Sequence, residues 1–385
     1  MILGVVKEIL EGERRVAALP EEVRKYRDMG FEVLVEAGAG AGVFRRDEEY
    51  VEAGAEVVAD AEELWNRADV VIKVKQPVFN DKTGKHEAEM IRSGATLITF
   101  LHPAAPDNHE MIKKLRDRNI VSFTMDGIPR ISRAQRMDAL TSMSTITGYK
   151  AVLMAASAFP RFIPLVASAI GTIMPAKALI VGVGVVGLQA IATARRLGAT
   201  VKAVDIREEA RLAGDSLGAK IAGFDVPAEL AMGPGGYAKA LPSEWLQKER
   251  ESLLPLVTEA DIVILSALVP GELAPVLVTE DMVRSMRPGS VIVDVSIDQG
   301  GNCELTRAGE QVTAHDVLVS GIANIPGSVP VDATWMYAQN MYEYVANLFK
   351  KGLGEPDWAD ELVSLSLVTR DGKIWHAGAL EAMGL

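Results

Sequence analysis

Cysteine is almost absent from this 385-residue chain: Cys303 stands alone, so there is no internal disulfide and no multi-cysteine metal site. Long apolar runs are missing as well. The most apolar stretch, residues 151–183, is interrupted by Pro160, Arg161, Pro164, Pro175 and Lys177, and no window of about 20 apolar residues is left to cross a bilayer. Basic charge is scarce, with 40 Lys and Arg against 52 Asp and Glu, a net charge of −12 and no basic cluster, which argues against nucleic acid as a partner. Internal repeats and low-complexity tracts are lacking. The opening Met1 to Glu8 runs directly into a strand pattern without the architecture of a signal peptide, predicting a cytoplasmic location without direct membrane insertion.

What remains is a globular composition, 49% hydrophobic and 24% charged, on a chain longer than one core readily supports, so two domains are expected. The chemistry is concentrated in residues 177–205. Ala178 to Val181 is an apolar run suited to a buried parallel strand, and Gly182, Gly184 and Gly187 follow it with the spacing G-x-G-x-x-G. Gly182 permits a tight turn, Gly184 lets a pyrophosphate approach the backbone, and Gly187 lets the next helix pack closely. The helix N-terminus then offers amides and a positive dipole end to the diphosphate. A second strand, Thr200 to Val204, ends in Asp205, whose carboxylate can accept both ribose hydroxyls and repels a 2′-phosphate. The expected cofactor is NAD, with the nearby Arg207 placed on the adenine side.

Elsewhere, short strands and helices alternate. Strands are predicted at Leu3 to Lys7, Glu32 to Glu36, Glu56 to Ala59, Asp69 to Lys75, Ala95 to Leu101 and Ile120 to Met125. Helices are predicted at Glu21 to Met29, Glu48 to Ala53, Ala61 to Ala68, Glu87 to Arg92 and His109 to Arg118. Such alternation implies right-handed crossovers and a parallel sheet. An apolar helix, Thr145 to Ala158, connects this domain to the next. Further strands follow at Lys220 to Gly223, Ile262 to Ala267, Ser290 to Ser296 and Val317 to Ile322, and glycine and proline between Pro227 and Glu251 predict a mobile loop. A helix from Ala333 to Lys350 carries one apolar face and is expected to return to the first domain. The fold class is therefore α/β: two Rossmann-like, doubly wound parallel-sheet domains with a cleft between them. Residues 1–140 with 325–385 form the first domain, and residues 141–324 form the NAD(H)-binding one.

Pro129 to Asp138, Pro-Arg-Ile-Ser-Arg-Ala-Gln-Arg-Met-Asp, would by composition be a polar loop after a strand. It closely resembles the characteristic loop of the NAD(H)-binding component, domain I, of proton-translocating nicotinamide nucleotide transhydrogenase. Residues 13–17, 235–239, 267–271 and 300–304 resemble the same family, and the likeness spans nearly the whole chain. The resemblance implies that Arg130 and Asp138 lie near the nicotinamide carboxamide and that Gln135 reaches toward NADP on a partner. Thr141 stands where the family usually has a serine. Val185, Asp205, Arg207, Gly236 and Leu268 match positions around the nucleotide, and Tyr237 lies on the loop that closes over it. Hydride transfer between nicotinamides needs no general acid or base. The resemblance further implies NADP-binding and membrane-spanning partner components, peripheral attachment to the inner membrane through them, and a homodimer. No metal is expected.

The same resemblance extends to alanine dehydrogenase, a soluble relative whose substrate-handling arginine, lysine, histidine and aspartate are matched by Arg15, Lys75, His102 and Asp298. Arg15 could pair with a carboxylate, Lys75 could bind a keto oxygen and His102 could exchange a proton. Against this, the four can be structural remnants, Lys75 snorkelling to water and His102 merely ending a strand. A third reading is an NAD-sensing module, which binds nucleotide and reports it to a partner without turnover.

Overall fold

Buried strands bounded by amphipathic helices form two separate, mostly parallel sheets in the computed structural model, which describes residues 1–233, 236, 238–269 and 273–385. The chain divides into one unit of Met1–Met143 with Gly327–Leu385 and a second of Ser144–Pro326.

The sheet of the first unit has eight strands. Its parallel part runs, from one edge, Glu56–Val58, Glu32–Glu36, Ile2–Val5, Val70–Ile72, Thr96–Thr99 and Val121–Thr124. Strand order reverses between Ile2–Val5 and Val70–Ile72, the point at which doubly wound sheets open a crevice at their carboxyl ends. Two strands from the end of the chain, Leu367–Arg370 and Lys373–Ile374, add antiparallel to the far edge. The helix Pro330–Leu348 starts on a proline at its first turn, where no amide is needed. It packs on the helix Pro20–Asp28 through the tilted ring pair of Tyr26 and Tyr342.

The sheet of the second unit runs Lys220–Ile221, Thr200–Val204, Lys177–Val181, Ile262–Leu265, Val291–Asp294 and Val317–Ser320, all parallel, with Gln311–Ala314 antiparallel at the edge. Numbered along the chain, the parallel strands lie in the order 3-2-1-4-5-6 of a dinucleotide-binding sheet. Alternate side chains of each strand enter different cores. Ala178 and Ile180 join Ile264 and Val293 on one face, while Leu179 and Val181 join Val263, Leu265 and Ile292 on the other. Burial on both faces explains why these strands read as unbroken apolar runs rather than alternating ones.

The sequence expectation fails between Pro227 and Glu251. Two helices fall in it: Ala228–Ala231 is a short one, and Ser243–Glu259 is a long one that continues through Pro255. Its buried positions Glu249, Leu253 and Val257 recur every four residues, a helical period outweighed in the sequence reading by the glycines and prolines just before it. The connecting helix also begins earlier than predicted, spanning Ala139–Ala158, because Asp138 caps it. The hairpin Val166–Ser168 with Gly171–Ile173 has no counterpart in the sequence reading, nor does the strand Gln311–Ala314 that pairs antiparallel with the expected strand at Val317–Ser320. No helix among the described residues is long and apolar enough to cross a membrane.

Candidate functional site

The glycine-rich turn sits where the strand order of the second unit reverses, between Lys177–Val181 and Ile262–Leu265. Its three glycines do different work. Gly182 has φ +87°, and a Cβ there would lie 2.7 Å from the Ser266 carbonyl carbon and oxygen. At Gly187 a Cβ would lie 2.0 Å from the Gly182 carbonyl oxygen, so the helix Val185–Arg196 can approach the turn only because no side chain intervenes. Gly184 is unlike both: a Cβ there would meet nothing within 4 Å. Two glycines thus close the protein onto itself and the third opens it outward. Gly184 also occupies the N-cap of that helix and no side chain caps it, so the first-turn amides, Val185 among them, face the same opening. This is the cradle a diphosphate requires.

Asp205 follows the strand Thr200–Val204 and is nearly buried. Its Oδ2 accepts from the Val183 amide at 2.7 Å, tying the second strand to the glycine turn. The structure adds a partner that spacing alone did not reveal. Arg207 grips Asp205 through Nε to Oδ1 at 3.0 Å and Nη2 to Oδ2 at 2.8 Å, while its own amide donates to Oδ1 at 2.8 Å. A carboxylate accepts about four hydrogen bonds, so Asp205 is saturated in this arrangement. A hydroxyl group approaching Asp205 would have to displace Arg207 or share the carboxylate with it. Arg207, expected on the adenine side, is paired here with Asp205 and also donates through Nη1 to the Gly236 carbonyl at 3.3 Å. Tyr237 lies outside the described residues. Glu249, on the helix Ser243–Glu259, is pushed up to about 7 by burial and by the negative charge of Asp205.

Leu268 is partly exposed on the loop after Ile262–Leu265. That loop is held by a residue given no role in the sequence reading. Asn302, fully buried, accepts from the Ala267 amide at 3.0 Å and donates to the carbonyls of Ala267 and Pro275 at 2.8 Å each. Beneath it, Asp294 takes the amides of Ser296, Asn302 and Cys303 and the Thr306 hydroxyl. The only sequence signal was the Gly-Gly-Asn-Cys-Glu stretch that carried part of the resemblance. Asp298 is exposed on the short turn Ile297–Gln299.

In the first unit, Pro129 to Asp138 is more ordered than a polar loop. Ser132–Met137 is a 3-10 helix with Ala134 and Met137 buried. Asn340 donates to the Arg136 carbonyl at 2.8 Å, and Arg133 pairs with Asp360 at 2.8 Å. Arg130 and Gln135 are exposed. Asp138 accepts from the Thr141 amide at 2.8 Å and the Thr141 hydroxyl at 2.6 Å, so these two predicted site residues form one helix cap.

The residues of the rival reading in this unit are also placed. Arg15 is buried and holds Glu13 through Nε at 2.7 Å and Nη2 at 2.5 Å. His102, with φ +44°, stacks on Phe100, and its Nδ1 lies 2.9 Å from Asp126. Burial pushes the Asp126 carboxyl up, but the charge and hydrogen bonds of His102, with the Thr124 hydroxyl, hold it at about 2. Lys75 is half-buried, its amide directed to Glu8. Neighbouring Lys73, fully buried, bridges Glu8 at 2.8 Å and Glu87 at 3.3 Å. No cluster of His, Cys, Asp and Glu among the described residues could hold a metal ion.

Strand order and glycine turn together define a dinucleotide-binding α/β protein. Comparison with known proteins agrees. Residues 4–147 match the model of the alanine dehydrogenase/PNT N-terminal domain and residues 151–377 that of the alanine dehydrogenase/PNT C-terminal domain. The chain belongs to this family. It is 42% identical to the first segment of NAD(P) transhydrogenase subunit alpha of Rhodospirillum rubrum, over 98% of each chain. The crystal structure of transhydrogenase from Sinorhizobium meliloti superposes with a TM-score of 0.84 at 38% identity, covering 97% of this chain and all of that one. An alanine dehydrogenase of Methanococcus maripaludis is 33% identical over the whole of this chain and 97% of its own.

Proposed function

We propose that this chain is the NAD(H)-binding alpha subunit of a proton-translocating NAD(P) transhydrogenase, passing hydride between NADH and NADP⁺ bound on a partner component. The observation that carries the reading is end-to-end similarity, at 42% identity, to the Rhodospirillum rubrum transhydrogenase subunit. Bound NADH supplies the hydride. With no proton to move, the chain's own groups bind, orient and exclude water. Asp205 and Arg207 take the ribose, the amides after Gly184 take the diphosphate, and Leu268, Gly236 and Tyr237 enclose the nucleotide. Arg130, Asp138 and Thr141 orient the nicotinamide, and Gln135 reaches toward the second nucleotide; the exposure of Arg130 and Gln135 supports such a role. The partners are the NADP-binding and membrane-spanning components, through which the chain is peripheral to the inner membrane, and a second copy of itself.

One observation favours alanine dehydrogenase as a second reading: the His102–Asp126 dyad has the geometry of an oriented acid-base group. Against it, the Arg15 fork that would clasp a substrate carboxylate already clasps Glu13. The deciding experiment is absorbance at 340 nm with the purified chain, NAD and L-alanine. The proposal expects no NADH formation from alanine; once the NADP-binding component and NADP⁺ are added with NADH it expects NADPH to form, read by separating the two nucleotides because both absorb at 340 nm, and to form more slowly in Gln135→Asn with NADH affinity retained. Alanine-dependent NADH formation that is lost in His102→Ala would overturn it.

A further inference from the structure

The helix Ser243–Glu259 carries four acids, and three of them are exposed and partnered. Glu244 takes Lys248 at 2.6 Å, Glu251 takes the Gln247 side-chain amide at 3.1 Å, and Glu259 takes Lys202 at 3.0 Å. Glu249 differs on both counts. It is 6% exposed, on the face that carries Leu253 and Val257 into one core with Leu179, Val181 and Val204. Its carboxyl makes no hydrogen bond or ion pair among the described residues. A buried carboxyl without a partner is destabilising where an apolar side chain would serve, so it marks a demand other than packing.

The place of Glu249 in the fold shows what that demand is. The helix leads into the strand Ile262–Leu265 from its amino end, so its first half lies toward the carboxyl ends of the strands, where Asp205 follows Val204. The charged groups acting on the Glu249 carboxyl are Asp205 and, on its own helix, Arg250, which turns its Nε to the Val276 carbonyl at 2.8 Å. The other charges on neighbouring elements pair among themselves: Arg207 with Asp205, Arg211 with exposed Asp225 at 3.6 Å, and Arg284 with Glu280 and Asp281 at 3.1 Å each. The Asp205 carboxylate thus has one guanidinium paired to it and a second carboxyl within reach of its charge. That arrangement bears on the choice of nucleotide. An arginine next to the ribose carboxylate is the group a 2′-phosphate would use, because its planar fork binds phosphate through two donors at once. Arg207 has only to turn from Asp205 to serve one.

We propose that Glu249 is a selectivity residue of the ribose site, its carboxyl repelling a 2′-phosphate that Arg207 would otherwise accept. The inference rests on the placing of the ribose at Asp205 in the proposed function, and adds to it an acid whose charge varies near neutral pH. Burial and the charge of Asp205 push Glu249 up to about 7, so it is neutral below that pH and charged above it. The repulsion therefore grows as pH rises through 7. The hydroxyls of an unphosphorylated ribose carry no charge for it to act on.

The test is displacement of NADH by NADPH from the full chain at pH 6, 7 and 8, in wild type, Glu249→Gln and Glu249→Leu. From pH 6 to pH 8 the wild-type affinity for NADPH relative to NADH is expected to fall about tenfold further than in either variant. The 2′-phosphate itself titrates near about 6, and the variants keep that contribution. Glu249→Leu leaves no buried polar group, and so carries the test should Glu249→Gln fail to fold. A fall with pH as large in the variants as in wild type would overturn the proposal. So would a loss of affinity common to both nucleotides with the pH dependence intact, which is what a packing role gives, or NADPH that fails to compete in all three proteins, which would leave its exclusion to Asp205. Failure of the ribose reading shows separately: NADH binding undiminished in Asp205→Asn would move the ribose elsewhere and remove this role with it.

Discussion

The two units are variations on one sheet, and they differ most where the strand order reverses. In the second unit, the first strand is followed by Gly182-Val183-Gly184, and the crevice is open at Gly184. In the first unit, the equivalent strand Ile2–Val5 is followed by Val6-Lys7-Glu8, and Glu8 reaches across to Lys73, beyond the end of Val70–Ile72. There the crevice is occupied by the protein's own charges: Glu8, Lys73 and Glu87 buried together, with Tyr337 donating to the Lys73 carbonyl. A doubly wound sheet thus offers a site at its switch point, but the residues after the first strand decide whether a ligand or the chain itself fills it.

The largest expected effect breaks the filled crevice. Lys73→Met leaves Glu8 and Glu87 buried without a counter-charge and should cost about 3–5 kcal/mol, read from urea denaturation. Little or no loss would mean that the two carboxylates are protonated or hydrated. In the open crevice, Gly184→Ala should leave stability unchanged yet weaken NADH binding about 100-fold, close to 2.7 kcal/mol, because its Cβ enters space reserved for the nucleotide. Gly187→Ala should do the reverse, losing about 1–3 kcal/mol of stability to overpacking. If both substitutions behaved alike, the division of labour among the glycines would be wrong.

Smaller effects come from the acids that border each crevice. Glu87, in the first unit, is pushed to about 7 by burial, with Glu8 adding to the rise and Lys73 opposing it, and Glu249, in the second, is pushed to about 7 by burial and Asp205. Both folded values lie above the ordinary 4.5, so between that value and 7 the native state holds more protons than the unfolded chain. Stability should therefore fall as pH rises through this window, by roughly 1–3 kcal/mol for each group. Melting temperatures at pH 5 and pH 8 test this, and Glu249→Gln should remove about half of the slope. The smallest effect is Arg207→Leu, which uncovers the full charge of Asp205 and should sharpen the preference for NADH over NADPH by about tenfold, or 1.4 kcal/mol. An unchanged ratio would mean that Arg207 does not screen that carboxylate.

Legibility followed the range of the interactions. The strand, glycine turn, helix and Asp205 could be read because their relations are local in sequence and each residue type has one dominant physical use. Arg207 was visible as a residue but not as a partner, since whether it faces the adenine or turns back on Asp205 depends on rotamers and on the Gly236 carbonyl. Asn302 was visible only within a resembling stretch, because the amide and carbonyl it clamps at Ala267 are 35 residues away. The helix Ser243–Glu259 was missed although its four-residue spacing was present, masked by the glycines before it and by Pro255 within it. The C-terminal strands were missed because an edge strand is defined by the neighbour it joins, here Val121–Thr124, across some 245 residues of chain.

By itself, the sequence determined the class of fold, the position of the glycine turn and the carboxylate that follows the second strand. These depend on periodicity, on glycine's freedom at positive φ and on charge, which are properties of residues and near neighbours. Only the tertiary structure decided that the first unit's crevice is filled by Glu8, Lys73 and Glu87, that Arg207 saturates Asp205, and that the Glu249 carboxyl is buried within reach of the Asp205 charge. Each of these depends on which distant groups the fold brings within a few ångströms, and burial and hydrogen bonding have energies only once that proximity exists.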